Sequence, residues 1–362
     1  MIQPLSRDSL NSLRERVARF KADNPKLRIR NVADALGVSE AELVALNCGD
    51  GVTRLRSDPE SLRQLMAEMR TLDSVMALSR NDSVVHEKTG IYGKLGGGEK
   101  VGLFLGDIDL RIFFKQWSFA YSVTEGERRS LQFFDQAGTA VHKVYANADT
   151  DIQRLEQLVT CYRVEDQSPG QYIDPELAAQ ADQWVINPAQ ADTDVDRTAF
   201  RADWDQLKDV HDFSDLLKKH DLERKQAFRL AGEERARILP VTVLEQALEK
   251  AAQQDLPIMV FVGNAGIVQI HTGVVNKLVR MGPWFNVLDP GFNLHANTET
   301  FSEAWLVRRP TEDGVVSSLE FFDQQGYQVL QLFGARKPGQ KELTEWQTLL
   351  ETLEQPEEAG TI

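Results

Sequence analysis

The sequence predicts a duplicated α+β fold, with two similar units that each contain a large antiparallel β-sheet flanked by α-helices. The segment SLQFFDQAG at 130–138 returns as SLEFFDQQG at 318–326, a shift of 188 residues. A second block, NDSVVHEKTGIYGKL at 81–95, matches NAGIVQIHTGVVNKL at 264–278, a shift of 183. The longer shift also relates two aromatic pairs, Trp117 with Trp305 and Tyr145 with Phe333. Two blocks in the same order indicate a duplicated domain rather than an array of short repeats.

The first unit is predicted to begin with helices. Residues 8–45 have apolar side chains three or four positions apart, which is typical of amphipathic helices. Within this stretch Gly37 is placed to end one helix, and Ser39, followed by acidic residues, is placed to cap the next. Asp58 before Pro59 predicts the start of a further helix.

Strands are predicted to follow. From residue 74 to residue 134 the chain has short segments rich in β-branched and aromatic residues, separated by Gly, Asp or Asn. Predicted turns at 124–126 and 136–138 favour an antiparallel meander. A helix over 150–161 is expected to close the unit.

The second unit is predicted to repeat this order after a linker. Residues 165–195 contain several Pro, Gly, Asp and Gln residues, a composition typical of a connecting segment. We therefore expect a first repeat unit at 1–164, a linker at 165–195 and a second repeat unit at 196–362. In the second unit, helices precede strands over 258–333, and a last helix is expected at 341–353.

Composition limits the class of protein. A chain of 362 residues with 42% hydrophobic and 27% charged residues is typical of a globular protein with about two domains. The net charge of −14 opposes polyanions, so no nucleic-acid partner is expected. No apolar run reaches the roughly 18 residues of a membrane span, and no signal peptide is recognisable, so a cytoplasmic protein without membrane insertion is expected. Cys48 and Cys161 are interpreted as reduced thiols.

One motif offers a remote alternative function. Residues 32–43 resemble a helix-turn-helix, with Gly37 at the turn and Ser39 as a cap, which would suit a DNA-binding regulator. The second helix, however, starts at Glu40 and carries acidic residues where contacts with DNA would be expected. An ordinary helical hairpin packed on a sheet is therefore the favoured interpretation.

His211 is the most informative of the six histidines. It lies between two helical stretches, and a helix that restarts near Asp212 would keep its imidazole neutral, as a metal ligand must be. Asp209 could accept the other ring N–H and orient the ring. A lone histidine is more often structural, so spacing alone leaves both interpretations open. His211 also falls outside the recognisable repeat.

Longer motifs carry a resemblance to a known family. FRADW at 200–204, DVHDF at 209–213, GPWFNVLDPGFNLH at 282–295 and FGARKPG at 333–339 resemble the bacterial haemin-degrading factors. These are cytoplasmic haem-utilisation proteins that serve iron acquisition. The resemblance covers nearly the whole chain and its duplication. It implies two similar halves, each a large antiparallel sheet with helices, and one haem bound in a cleft.

The resemblance also assigns site residues. It implies His211 as the axial ligand of the haem iron, and Arg111, in a DLRIF strand, as a distal residue that both contacts haem and is catalytic. The other haem-binding positions that it implies are Phe113, Arg309, Gln331, Phe333 and Arg336. Phe333 stands where the family has Tyr, so a hydroxyl donor is missing. An apolar disc with two propionates suits an apolar cleft, one imidazole and arginine cations.

Two functions stay open within the family. In the first, the protein degrades haem like an oxygenase, releases iron and depends on an electron donor. In the second, it is a non-enzymatic chaperone that hands haem to a separate haem oxygenase. A single axial histidine serves either function, so the sequence does not choose between them.

Overall fold

The computed structural model describes residues 7–98, 100–181, 190–337 and 339–354, so part of the predicted linker lies outside the described residues. Contacts divide the chain into two compact units. The first contains Met1–Arg80, Glu87–Trp184 and Asn264–Gln269, and the second contains Asn81–His86, Val185–Gly263 and Ile270–Ile362. Each unit therefore includes a short segment from the other half of the chain.

The helices follow the predicted order. They are α1 (Arg7–Asp23), α2 (Ile29–Leu36), α3 (Glu40–Ala45), α4 (Pro59–Glu68), α5 (Ile152–Tyr162), α6 (Pro175–Ala181), α7 (Arg197–Trp204), α8 (Phe213–Lys219), α9 (Arg224–Ala231), α10 (Val243–Gln253) and α11 (Thr344–Glu354).

Local capping chemistry explains where several helices begin and end. Gly37 ends α2 in the left-handed conformation, with φ of 64°. Ser39 forms a capping box with Glu42: the Ser39 hydroxyl accepts the Glu42 backbone N–H, and the Glu42 carboxylate accepts the Ser39 N–H. Asp58 accepts the N–H of Ser61 at 2.9 Å, with proline at the first helical position of α4. These sequence predictions are confirmed.

The strands form two nine-stranded sheets, which confirms the predicted fold class. The strands are β1 (Val52–Leu55), β2 (Asp73–Arg80), β3 (Val84–Ile91), β4 (Gly96–Gly97), β5 (Gly102–Phe104), β6 (Asp109–Ile112), β7 (Phe119–Glu125), β8 (Arg128–Phe134), β9 (Ala140–Thr150), β10 (Ala236–Leu239), β11 (Ile258–Asn264), β12 (Ile267–Gly273), β13 (Leu278–Met281), β14 (Trp284–Asp289), β15 (Phe292–Asn297), β16 (Phe301–Thr311), β17 (Gly314–Asp323) and β18 (Gln328–Gly334). The orders are β1-β7-β8-β9-β2-β3-β15-β14-β13 and β10-β16-β17-β18-β11-β12-β6-β5-β4. A plain meander in each copy was therefore the wrong expectation.

In the first unit, β1, β7, β8, β9 and β2 pair antiparallel in that order. One sheet face packs against α4 and α5 in a continuous apolar core. The other face packs against α3, most of whose residues are buried, and the Glu40 carboxylate forms a buried ion pair with Lys143. The helix that a DNA reader would place in the major groove is therefore buried in this unit, which removes the basis for the helix-turn-helix alternative.

In the second unit, β10, β16, β17, β18 and β11 pair antiparallel in that order. Helices α10 and α11 cover one sheet face with the largest apolar core. Helices α7, α8 and α9 cover the other face over β10, β16 and β17, around Trp204, Phe213 and Phe228. Along β18, Leu330 and Leu332 are buried in the larger core, and Gln331 between them lies on the opposite face.

Strand register corrects one pairing of the two copies. Val123 lies opposite Ser130 in the first copy, and Val307 lies opposite Ser318 in the second. The β16–β17 hairpin is thus four residues longer than the β7–β8 hairpin. Trp305, which lies opposite Glu320, consequently corresponds to Tyr121, which lies opposite Gln132, and not to Trp117.

The second aromatic pair, Tyr145 with Phe333, is confirmed, because Ser130 lies opposite Tyr145 just as Ser318 lies opposite Phe333.

Among the residues that the structure describes, no helix is both long enough and apolar enough to span a membrane.

Candidate functional site

His211 lies in a single-turn helix, Val210–Asp212, that leads directly into α8. Two contacts hold the chain just before this segment against β16 and the residue that follows it. The indole N–H of Trp204 donates to the carbonyl of Arg308 at 3.0 Å, and the N–H of Glu312 donates to the carbonyl of Lys208 at 2.9 Å. The segment is therefore fixed to the sheet on the side of His211 nearer the N-terminus.

The His211 imidazole is 87% exposed and is held by Asp209. One carboxylate oxygen of Asp209 accepts the backbone N–H of His211 at 2.8 Å and lies 2.5 Å from the ring atom Nδ1. The backbone N–H of His211 is the main reason that the pKa of Asp209 lies below its usual range, and the charge of Arg336 adds to this effect. An ionised carboxylate only accepts hydrogen bonds, so Nδ1 carries the proton and Nε2 is left to bind a ligand.

Arg336 places a guanidinium in the same region, and only some of its hydrogen-bond donors have partners among the described residues. Its Nη2 atom lies 3.3 Å from a carboxylate oxygen of Asp313, which also accepts the N–H of Gly339 at 3.0 Å. Its buried Nη1 atom has no hydrogen-bond partner among the residues that the structure describes. A buried guanidinium donor without a partner is costly, and a propionate would satisfy it with a charge-assisted bond.

Phe333 and Gln331 lie on the face of β18 opposite the core, and both are half-buried. The Phe333 ring meets the Phe261 ring edge to face, with centroids 5.1 Å apart. Phe261 lies directly opposite Gln331 in the sheet. Two aromatic rings beside an amide suit the flat apolar face of a macrocycle. As the sequence indicates, Phe333 offers no hydroxyl.

Arg309 lies deeper than a ligand-binding arginine would. It is only 2% exposed, and its guanidinium donates to Glu320 at 2.6 Å and to Ser318 at 3.1 Å. The guanidinium also stacks 4.3 Å from the ring centroid of Phe213, the first residue of α8. These contacts place Arg309 beneath the helix that follows His211.

Glu320, the partner of Arg309, is a residue that the sequence reasoning missed. It is fully buried and also pairs with Arg224 at 3.0 Å. A signal was present, since Glu320 replaces Gln132 in the only charge-changing difference between the repeated nonapeptides. The structure thus joins Arg309, Glu320 and Arg224 in one ionic cluster under α8 and α9.

Arg111 and Phe113 belong to the first unit. Arg111 lies on β6 opposite Leu103 and is 29% exposed on its side chain, while Leu110 and Ile112 beside it are fully buried. Its guanidinium pairs with the Asp109 carboxylate. Burial raises the pKa of Asp109, although the charge of Arg111 opposes that rise. Arg111 is therefore a half-exposed cation.

Phe113 directly follows β6 and is half-buried like Arg111. Its N–H donates to the carbonyl of Gly266 at 2.9 Å. The alternation of burial places Phe113 and Arg111 on one face, as the sequence predicts.

The fold and site define a class: a duplicated α+β protein whose second unit presents an exposed imidazole, an arginine with an unsatisfied donor and an aromatic surface. The chain belongs to the family of the haemin-degrading HemS.ChuX domain, whose model matches residues 37–162 and again 221–353. The double match confirms both the internal duplication and the family suggested by the sequence motifs.

Similar proteins cover nearly the whole chain. The hemin transport protein HemS of Yersinia enterocolitica is 39% identical over 341 residues, which are 92% of this chain and 95% of that protein. The holo form of PhuS, a heme-binding protein from Pseudomonas aeruginosa, is 41% identical, with a TM-score of 0.89 over 95% of this chain and 99% of that one. The heme degrading enzyme ChuS of Escherichia coli O157:H7 is 35% identical, with a TM-score of 0.83 over 94% and 98%.

Proposed function

We propose that this protein binds one haem through His211 and acts in haem-iron utilisation, degrading the haem to release its iron. The observation that carries the proposal is the exposed His211 imidazole, held through Nδ1 by Asp209 so that Nε2 is free for iron. Relatives at 35–41% identity support it, since they are described as heme-binding, heme-degrading and hemin-transporting proteins.

The residues present fit a haem. His211 supplies one imidazole nitrogen, and the Nη1 donor of Arg336, which has no partner among the described residues, suits a propionate. Phe333 and Phe261 offer an apolar surface for the macrocycle, and Gln331 beside them adds an amide. Haem when bound supplies the redox chemistry of its iron, and the protein positions it and controls access to it.

Arg309 supports this arrangement from beneath. With its guanidinium already bonded to Glu320 and Ser318, it is better suited to hold α8 than to bind a propionate directly. We therefore propose that Arg309 contributes to haem binding indirectly. It supports Phe213, and through Phe213 the segment that carries His211.

Arg111 and Phe113 of the first unit are proposed as further haem-binding residues, and Arg111 is also proposed to be catalytic. A half-exposed arginine cation would stabilise negative charge that develops during oxygen chemistry, and Phe113 would add apolar contact. The proposed enzyme needs an electron donor. The location that we propose is the cytoplasm.

A second candidate is a haem chaperone that passes haem to a separate haem oxygenase. The description of HemS as a transport protein and of PhuS as a heme-binding protein favours it. An exposed imidazole on a short helix suits release as well as reaction.

The test of haem binding is the substitution His211→Ala, with His220→Ala as the matched control at the other end of α8. His220 is paired with Asp203 at 2.6 Å and is largely buried, so it is not expected to bind iron. We expect His211→Ala to lose the Soret shift during haem titration and to weaken binding by more than about 10-fold. His220→Ala should keep both. An unchanged spectrum and affinity in His211→Ala would contradict the proposal.

A further inference from the structure

We propose that Asp209 is a positioning residue for the iron ligand. It holds His211 in the tautomer that binds iron through Nε2, and its negative charge makes that nitrogen a stronger donor to ferric iron. The inference rests on the proposed function, because it assigns a role to Asp209 only if His211 binds haem.

The geometry is specific to the carboxylate of Asp209. A single oxygen accepts the backbone N–H of His211 at 2.8 Å and contacts the ring atom Nδ1 at 2.5 Å. The same oxygen therefore holds both the backbone and the ring of His211, which restricts rotation of an otherwise exposed side chain. The ring has two nitrogens, and this contact assigns the proton to Nδ1.

Stability does not explain this contact. The side chains of His211 and Asp209 are 87% and 56% exposed, and a polar contact so open to water adds little to folding. Capping does not require a charge either, since Asn and Ser cap helices as well as Asp. What Asp209 alone supplies is an anion against Nδ1, which is the usual second partner of a metal-bound histidine.

The chain offers a matched control in Asp212. Its carboxylate forms the other half of the same capping box and accepts the N–H of Asp209 at 3.0 Å and that of Lys208 at 3.3 Å. The ring of His211 is held by Asp209 instead. Asp209→Asn and Asp212→Asn therefore remove one charge each from the same turn, and only the first changes the partner of the imidazole.

The first readout uses the full chain without haem. Nitrogen-15 NMR of the His211 side chain should show one dominant tautomer, with the proton on Nδ1, in the unmodified protein and in Asp209→Asn a mixture of both tautomers. Asp212→Asn should resemble the unmodified protein. An unmodified protein that already shows a mixture would overturn the positioning role, whether or not haem binds.

The second readout uses the haem-loaded protein. We expect Asp209→Asn to raise the ferric–ferrous midpoint potential, to lower the iron–histidine stretching frequency in resonance Raman spectra, and to weaken haem binding about 10- to 100-fold. Equal shifts of the potential and the stretching frequency in Asp209→Asn and Asp212→Asn would show that Asp209 acts only as a helix cap, which would contradict the inference. Failure of the unmodified protein to bind haem at all would instead defeat the proposed function, while the tautomer measurement would still judge the geometry.

Discussion

Glu320 shows how a single buried charge can support a site that it does not touch. Burial by itself would raise the pKa of this carboxyl, but the charges of Arg309 and Arg224, with hydrogen bonds from Arg309 and Ser318, lower its pKa to about 2. Its two arginine partners lie on β16 and on α9. The cluster thus ties the helices around His211 to the sheet beneath them.

We predict that Glu320→Gln lowers the free energy of unfolding by about 3–5 kcal/mol, because it leaves buried arginine charge without a partner. Glu68→Gln is the control, since the ion pair of Glu68 with Arg154 is partly exposed and contributes only about 0–1 kcal/mol. Urea unfolding of both variants measures the difference. Equal losses in the two variants would mean that the buried cluster adds no stability of its own.

The same variant has a defined pH dependence. The folded pKa of Glu320, about 2, lies below its ordinary value of 4.5, so its stabilisation is fully present above about pH 4.5. It is lost as the pH falls from about 4.5 towards 2. The gap between the unmodified protein and Glu320→Gln should therefore narrow over that range, and a gap that stays constant would argue against the assignment.

Sequence reasoning reached some of these residues and not others, for a physical reason. Asp209 and His211 are two positions apart, so their contact follows from local geometry and could be predicted. The burial of Arg309 depends on Phe213 folding over it from a helix nearly 100 residues away, which no local pattern reports. The sequence shows an acidic residue at position 320, but it does not show that Arg309 and Arg224 pair with it.

At the scale of elements too, features that depend on local sequence were predicted, and features that depend on distant residues were not. The caps at Gly37, Ser39 and Asp58 are local and were predicted correctly. Strands β1 and β10 were missed because each has only four residues and gains its place by pairing with a distant strand, β7 or β16. The longer β16–β17 hairpin was also hidden, since the nonapeptide preserves only one strand of it.

The glycine that ends the first nonapeptide occupies a position where the structure requires a glycine. Gly138 lies in the β8–β9 turn with φ of 76°, and its carbonyl accepts the N–H of Ala41 on α3 at 3.0 Å. A Cβ atom here would lie 2.4 Å from the Ser39 hydroxyl, which caps α3. The turn and the helix start are therefore packed too closely for any side chain.

We predict that Gly138→Ala destabilises the protein more than Gly126→Ala does. Gly126 also has positive φ, at 61°, but a Cβ there meets nothing within 4 Å. Backbone strain alone costs about 1–2 kcal/mol in each variant, and overlap with the Ser39 cap should add about 1–3 kcal/mol at Gly138. Thermal or urea unfolding measures both variants, and equal effects would show that the turn tolerates the contact.

At the scale of the whole molecule, the repeat extends into the helices. A shift of 184 residues relates Ser39, the cap of α3, to Glu223, the cap of α9. At this shift His211 corresponds to Leu27, and both positions lie outside the two ranges that the family model matches, 37–162 and 221–353. The nonapeptide is common structure, and the proposed chemistry lies where the copies differ.

The enzymatic function requires a catalytic residue in the first unit and the chaperone function does not. Substitution of Arg111 therefore distinguishes the two functions. We predict that Arg111→Ala still titrates with haem but loses its Soret absorbance about 100-fold more slowly under ascorbate with catalase present, as expected when one charge-stabilising donor is removed. Arg129→Ala is the control, because Arg129 is also a half-exposed cation of the first unit, paired with Glu156 at 3.4 Å. If the unmodified protein loses no haem under these conditions but delivers it to a separate haem oxygenase, the chaperone function holds. Similar slowing in both variants would trace the effect to net charge, because only a specific role for Arg111 predicts a difference between two arginines of similar exposure.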